Sequence, residues 1–133
     1  MNRLIGVAHK VISPTQTAFL PGRNIMEGVV ILHETIHELH RKKQSGVVIK
    51  IDFEKAYDKI RWSFVKQTLL MKGFSEKWCE WIEAFTQKGH VNIKINDSLS
   101  NNFQTKKGLR QGDPLSPVLF NIVVDMLAVL INR

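Results

Sequence analysis

The run GVVIKIDFEKAYD, residues 46–58, decides how the rest of the chain is read. Val47, Val48, Ile49 and Ile51 follow a glycine in a nearly unbroken apolar stretch rich in β-branched residues, the composition of a central strand covered on both faces. Alternation along a strand sets Val48, Lys50 and Asp52 on one side and Val47, Ile49, Ile51 and Phe53 on the other. The strand ends in a carboxylate, Asp52, where Phe53, Glu54, Lys55, Ala56 and Tyr57 turn to helix-forming or mixed character. Two readings fit Asp52. It caps the turn that follows, or, fixed on a stiff element, it anchors a hard cation such as Mg2+, which takes one or two carboxylates alongside substrate phosphates.

The chain has 133 residues, room for one compact domain. With 44% hydrophobic and 23% charged residues it falls in the globular class and outside the disordered one. A net charge of +7, with cations recurring at Arg41-Lys42-Lys43, Lys59, Arg61, Lys106-Lys107 and Arg110, points to a polyanionic partner. Cys79 is the only cysteine, which excludes an intrachain disulfide and fits a reducing interior, with the thiol as a small core group. No secretion signal is present, so the expected location is intracellular, with nucleus and cytoplasm not distinguished. The longest apolar stretch, residues 117–131, is broken by Asn121 and Asp125 and falls short of the roughly 20 residues of a membrane span.

Upstream of the central run, Leu4, Ile5, Ala8, Val11 and Ile12 share one helical face, which Ser13-Pro14-Thr15 breaks. Asn24 is placed to cap a long helix whose apolar stripe is Ile25, Val29, Leu32, Ile36 and Leu39. That helix contains His33-Glu34-Thr35-Ile36-His37, the H-E-x-x-H spacing of zinc metalloproteases. The extended form of the motif fails, because His40 and Lys43 stand where a glycine and a histidine are required, leaving Glu38 and Glu54 as third ligands in principle. An amphipathic helix explains both histidines without metal.

Downstream, Phe64, Val65, Leu69 and Leu70 mark a helix over residues 60–73, with Asp58 as its expected cap and Gly73 as its stop. Ser75 introduces another, on which Trp78, Trp81, Ile82 and Phe85 fall at helical spacing as an aromatic core stripe. Val91, Ile93 and Ile95 alternate with polar residues and pair, across a turn over residues 97–100, with a second extended run at 102–106. The segment KGLRQGDPLSP, residues 107–117, then leads into a last helix with Ser116 as N-cap and Pro117 at its first position. Gly108 and Gly112 beside Arg110 and Gln111 suit a loop that meets a phosphate or base edge; a tight connection closed by Asp113 fits equally. The last helix is apolar nearly all round and must be enclosed. Both ends of the chain read as cuts through longer helices.

Two stretches together, IKIDFEKAYDKIRWSFV (residues 49–65) and KGLRQGDPLSPVLFNIVVDMLA (residues 107–128), resemble the reverse transcriptase domain of non-LTR, LINE-type retrotransposons, especially those of plant genomes. QTAFLPGRNIMEGVVILHE, residues 16–34, is similar to the segment that precedes the first of these. The resemblance implies an α+β fold: part of the fingers and palm of a right-hand polymerase, helix-rich with a short β hairpin and one central strand, over residues 1–133. It implies RNA-directed DNA synthesis, in which two Mg2+ ions help join a primer 3′ hydroxyl to the α-phosphate of a dNTP. The implied partners are an RNA template, a DNA primer or RNA/DNA hybrid, and the dNTP, with no membrane; oligomeric state stays open.

By resemblance Asp52 is the first metal-ligating aspartate, with the Phe53 carbonyl beside it. Tyr57 is the aromatic under the incoming sugar, where a rigid ring penalises one extra oxygen. Gln111 and Gly112 contact nucleotide and template, Arg110 assists with phosphate, and Arg23 matches a basic fingers position loosely. The family's Ala-Asp-Asp hairpin and thumb have no counterpart in the 133 residues. The expectation is therefore an incomplete site, inactive by itself, with an open apolar edge at the central strand that favours poor solubility. A basic nucleic-acid-binding module without catalysis is the alternative.

Overall fold

The computed structural model describes residues 2–87 and 89–131. Its order is α1 (Asn2–Val11), α2 (Ile25–Arg41), α3 (Ala56–Lys59), α4 (Trp62–Met71), α5 (Glu76–Gln87), β1 (His90–Val91), β2 (Lys94–Ile95), β3 (Ser98–Leu99), β4 (Phe103–Gln104) and α6 (Ser116–Ile131). The body is a helical cluster in which α1 and α4 both pack on α6 and α5 packs on α4. Spacing explains which faces meet. Leu4, Ala8 and Ile12 recur every fourth residue through α1, Val65 and Leu69 repeat that step in α4, and Cys79 and Ile82 do so at three in α5. All close on Val118, Leu119, Ile122 and Val123 of α6, with Leu20 and Leu109 added from loops.

The helix boundaries follow local chemistry. Asn24 accepts from the Met26 amide at 3.0 Å and caps α2 as its sequence suggests. Gly73 closes α4: its amide donates to the Leu70 carbonyl (3.0 Å) and the Phe74 amide to that of Leu69 (3.1 Å), the paired bonds of a Schellman stop. Asp58 does not cap α4. It lies inside α3, and Arg61 occupies the cap position without a side-chain bond. On α5 the expected aromatic stripe is displaced toward solvent. Cys79, Ile82 and Thr86 are buried, whereas Trp81 is 61% exposed, because α4 covers a face one step round from the one the aromatics mark. The reading of α6 as fully enclosed also fails at its end, where Val129, Leu130 and Ile131 are exposed. The expected ends of α1 at Met1 and of α6 at Arg133 lie outside the described residues.

The largest correction concerns the central run. Residues 44–53 form no strand; the backbone is irregular, and Val47, Val48, Ile49 and Ile51 are exposed. A strand's amides and carbonyls are satisfied only by a neighbouring strand. Among the described residues none pairs with this run, since the strands pair only with one another: β1 with β4, and β2 with β3 in a tight hairpin. That hairpin turns at Asn96 and Asp97, both with positive φ, one residue earlier than the spacing suggests. The described fold is thus helix-rich with two small antiparallel sheets.

Helix α2 buries no residue, so its stripe of Ile25, Val29, Leu32 and Ile36 faces outward. Together with the 44–53 run it accounts for an unusually large surface. The accessible area is 10140 Å² for a 15.3 kDa chain, against roughly 7,150 Å² for a compact monomer of that mass.

Two residues that interrupt the apolar pattern of α6 hold the body together. The Asp125 carboxylate is 3% exposed, ion-paired with Lys72, the C-cap of α4, and accepts from the Ser13 amide at 2.8 Å. Lys72 also donates to the Val11 carbonyl at 2.8 Å, so one pair ties α4, α6 and the end of α1. Asn121 donates to the Ala18 carbonyl (2.6 Å) and accepts from the Gln16 amide group (3.1 Å). Arg23 spends its guanidinium on the carbonyls of Ile12, Ser13 and Gln16, at 3.0, 2.6 and 2.6 Å. It thereby clamps the end of α1 to the loop that follows.

Candidate nucleotide and nucleic-acid site

The segment 53–64 and the loop 106–112 are bound to each other by backbone. The Leu109 amide donates to the Tyr57 carbonyl at 2.9 Å, the Gly108 amide to the Ile60 carbonyl at 2.8 Å, and the Trp62 indole to the Gly108 carbonyl at 2.7 Å. Gly108 allows this approach. Its φ is +96°, and a Cβ there would sit 3.1 Å from the Asp58 carbonyl oxygen and 3.2 Å from the Asp58 Cα. Gly112 also has positive φ, +85°, but faces open space, which leaves its backbone approachable.

Tyr57 stacks on Phe120 in the second turn of α6, ring centroids 4.7 Å apart and planes 12° from parallel. Burial pushes its phenol up from the ordinary value, so the hydroxyl stays neutral at physiological pH. Beside this stack runs an open groove of about 760 Å³. Asp52, Phe53 and Glu54 form one wall, Ile60, Ser63, Phe64 and Gln67 of the α4 side a second, and Phe120, Val123, Val124 and Leu127 the floor. Asp52 itself is exposed at the rim.

Arg110 is steered by α5. Its guanidinium lies 5.9 Å from the Phe85 ring centroid and across Gly89, where a Cβ would come 2.9 Å from its Cζ. Gln111 and Gly112 form the exposed turn that follows. Asp113 closes that turn by accepting from the Leu115 amide at 2.8 Å, so the tight-connection reading of this loop holds in its second half.

The structure thus brings Tyr57 against the 108–110 loop and sets Asp52 and Phe53 on the groove that Phe120 also lines. Gln111 and Gly112 lie outside the groove lining. Phe120, which joins the two halves, had a signal in the sequence only as one more apolar residue of α6. Trp62, which latches the loop, had none.

Among the described residues no set of three or more His, Cys, Asp or Glu side chains is placed to hold a metal ion. Glu54, beside Asp52, is engaged by Lys59 at 2.5 Å. Among the described residues the donor set does not fit a two-metal centre, and Asp52 is the one carboxylate of the groove lining without an ion-pair partner there. His33 and His37 stand on the exposed α2 with no third ligand assembled about them among the described residues. Among the described residues no helix is long and apolar enough to cross a membrane.

The stretches 49–65 and 107–128 thus meet through backbone bonds, and comparison with protein families gives the class they belong to. The family model described as reverse transcriptase (RNA-dependent DNA polymerase) matches residues 1–133, and the chain belongs to that family. Within it, the relatives come from non-LTR retrotransposons. The chain is 28% identical over 131 residues to the transposon TX1 uncharacterized 149 kDa protein of Xenopus laevis, covering 98% of this chain and 10% of that protein. It is 28% identical over 114 residues to the Pol polyprotein of type-2 retrotransposable element R2DM of Drosophila melanogaster, covering 86% and 11%. It is 28% identical over 107 residues to a Pol polyprotein of a type-1 retrotransposable element R2 of Popillia japonica, covering 80% and 18%. The chain therefore spans less than a fifth of the length of these relatives.

Proposed function

We propose that this chain forms part of the fingers and palm of an RNA-directed DNA polymerase of a non-LTR retrotransposon. Its partners are an RNA template, a DNA primer or their hybrid, and a dNTP, and the reaction is nucleotidyl transfer from the dNTP to the primer 3′ hydroxyl. The observation that carries this reading is the meeting of Tyr57 with the 108–110 loop, through the 2.9 Å bond from Leu109 and the stack on Phe120. It fixes the Tyr57 backbone against the loop that leads on to Arg110 and Gly112, and stacks the Tyr57 ring on Phe120, which lines the groove rimmed by Asp52.

In this reading Tyr57 lies under the sugar of the incoming nucleotide and disfavours a 2′ hydroxyl by contact. Arg110, Gln111 and Gly112 meet phosphate and base edges, and Asp52 with the Phe53 carbonyl faces the divalent ion that members of the family use. Because Asp52 is alone, no step through a metal is assigned to the 133-residue chain, and it is not expected to polymerise by itself. The same residues still suit binding of nucleic acid without catalysis, which the net charge of +7 favours.

The test exchanges this chain for the matching stretch of an active non-LTR polymerase and measures dTTP incorporation on poly(rA) primed with oligo(dT). Asp52→Ala should abolish incorporation by about a hundredfold or more, and Tyr57→Ala should mainly admit ribonucleotides. An active chimaera indifferent to Asp52→Ala overturns the assignment. Incorporation by the isolated chain, lost on Asp52→Ala, overturns its incompleteness.

A further inference from the structure

A second depression lies on the other side of Arg61. It is a cleft of about 370 Å³ lined by Arg61, Trp62, Ser63, Glu83, Gln87, Lys106 and Lys107, within the roughly 300–1,000 Å³ range of small-ligand sites. Its charges are unbalanced. Glu83, the one carboxylate, has both oxygens committed: one accepts from Lys66 at 2.7 Å and the other from Gln87 at 2.8 Å. Arg61, Lys106 and Lys107 are exposed and have no ion-pair partner among the described residues.

These cations are also held in place by backbone. The Gly108–Ile60 and Trp62–Gly108 bonds, 2.8 and 2.7 Å, fix the register of 106–108 against 60–62, so like charges are kept together that would otherwise separate. No side chain among the described residues caps α4, whose first residues, Trp62 and Ser63, line the cleft. Arg61 and Ser63 line the Asp52 groove as well, so the two depressions adjoin at these residues.

Resting on the polymerase reading above, we propose that this cleft is a subsite for the phosphate backbone of a single nucleic-acid strand, gripped by Arg61, Lys106 and Lys107, as the strand runs to or from the Asp52 groove. The three side chains neutralise successive phosphates and read no sequence.

The experiment uses the whole 133-residue chain and a short fluorescein-labelled oligo(rU), with affinity followed by anisotropy across salt concentrations. Arg61→Gln/Lys106→Gln/Lys107→Gln should flatten the slope of log affinity against log salt by roughly 2, about 0.7 for each phosphate released. Lys10→Gln/Lys43→Gln/Lys77→Gln removes equal charge at exposed positions that line neither depression and should leave the slope nearly unchanged. The charge-keeping Arg61→Lys/Lys106→Arg/Lys107→Arg should retain parental binding. Circular dichroism checks the fold, and Lys106→Gln alone, expected to cost about a third of the slope change, replaces the triple variant if that does not fold.

Equal losses in both glutamine sets would mean diffuse attraction and overturn the cleft while leaving the polymerase reading intact. Loss in the charge-keeping variant would overturn it in favour of a structural role. Failure of the parent chain to bind oligo(rU) even at low salt would overturn both.

Discussion

Replacing Lys72 by methionine should cost this chain a large part of its stability, and the structure gives the amount. The Asp125 side chain is 3% exposed and has two partners among the described residues, Lys72 and the Ser13 amide. Methionine keeps the length and apolar stem of lysine but strands the carboxylate, which places the cost at about 3–5 kcal/mol. With total stabilities of about 5–15 kcal/mol, that is a fifth or more of the whole. With a urea m-value of about 1–3 kcal/mol/M, the midpoint should fall by roughly 2 M, followed by ellipticity at 222 nm. Lys72→Met/Asp125→Leu removes the stranded charge and should recover most of the loss, leaving about 1–2 kcal/mol for the orphaned Ser13 amide. Because Lys72 also holds the Val11 carbonyl, amides late in α1 should exchange faster in the single variant. If Lys72→Met lies within 1 kcal/mol of the parent, or the double variant is as unstable as the two single costs added, the pair does not hold the helices as argued.

Three further outcomes follow from single contacts. Thr68 is 1% exposed and its hydroxyl has no partner among the described residues, so Thr68→Val should raise stability by about 1 kcal/mol, read from the same urea midpoint. Gly108→Ala forces a Cβ against Asp58 at positive φ and should destabilise by about 1–3 kcal/mol, with weaker oligo(rU) binding as the loop leaves Tyr57; full retention of both would count against the loop geometry. The hydrogen bond from Lys66 holds the Glu83 carboxyl below its ordinary range, against the opposing effect of burial. A depressed carboxyl stabilises above its unfolded pKa, so that contribution is present above about pH 4.5 and lost as acid titrates the folded group. Thermal melts of Glu83→Gln should accordingly show a shallower acid limb than the parent.

Much of the helical body was legible in the chain itself because each signal is local. The steps at Leu4, Ala8 and Ile12, the Asn24 cap and the Gly73 stop depend on neighbours within one or two turns. The 49–65 and 107–128 stretches likewise carried the family, and the structure sets the two side by side at Tyr57 and Leu109. The reading of Asn121 and Asp125 as mere interruptions of an apolar helix missed their role, since their partners lie 103 to 112 and 53 residues away.

What residues alone determined here is propensity, periodicity and chemical type: where helices start and stop, that the surface is basic, and that an aspartate ends a β-branched run. What tertiary structure decided is which of those propensities is realised. The 44–53 run keeps its strand composition yet stays irregular and exposed, because a strand is completed only by hydrogen bonds to another strand and none of the described residues supplies them. Helices close their own bonds and could be read from the chain; pairing, burial and the gathering of Arg61 with Lys106 and Lys107 required distant segments to meet.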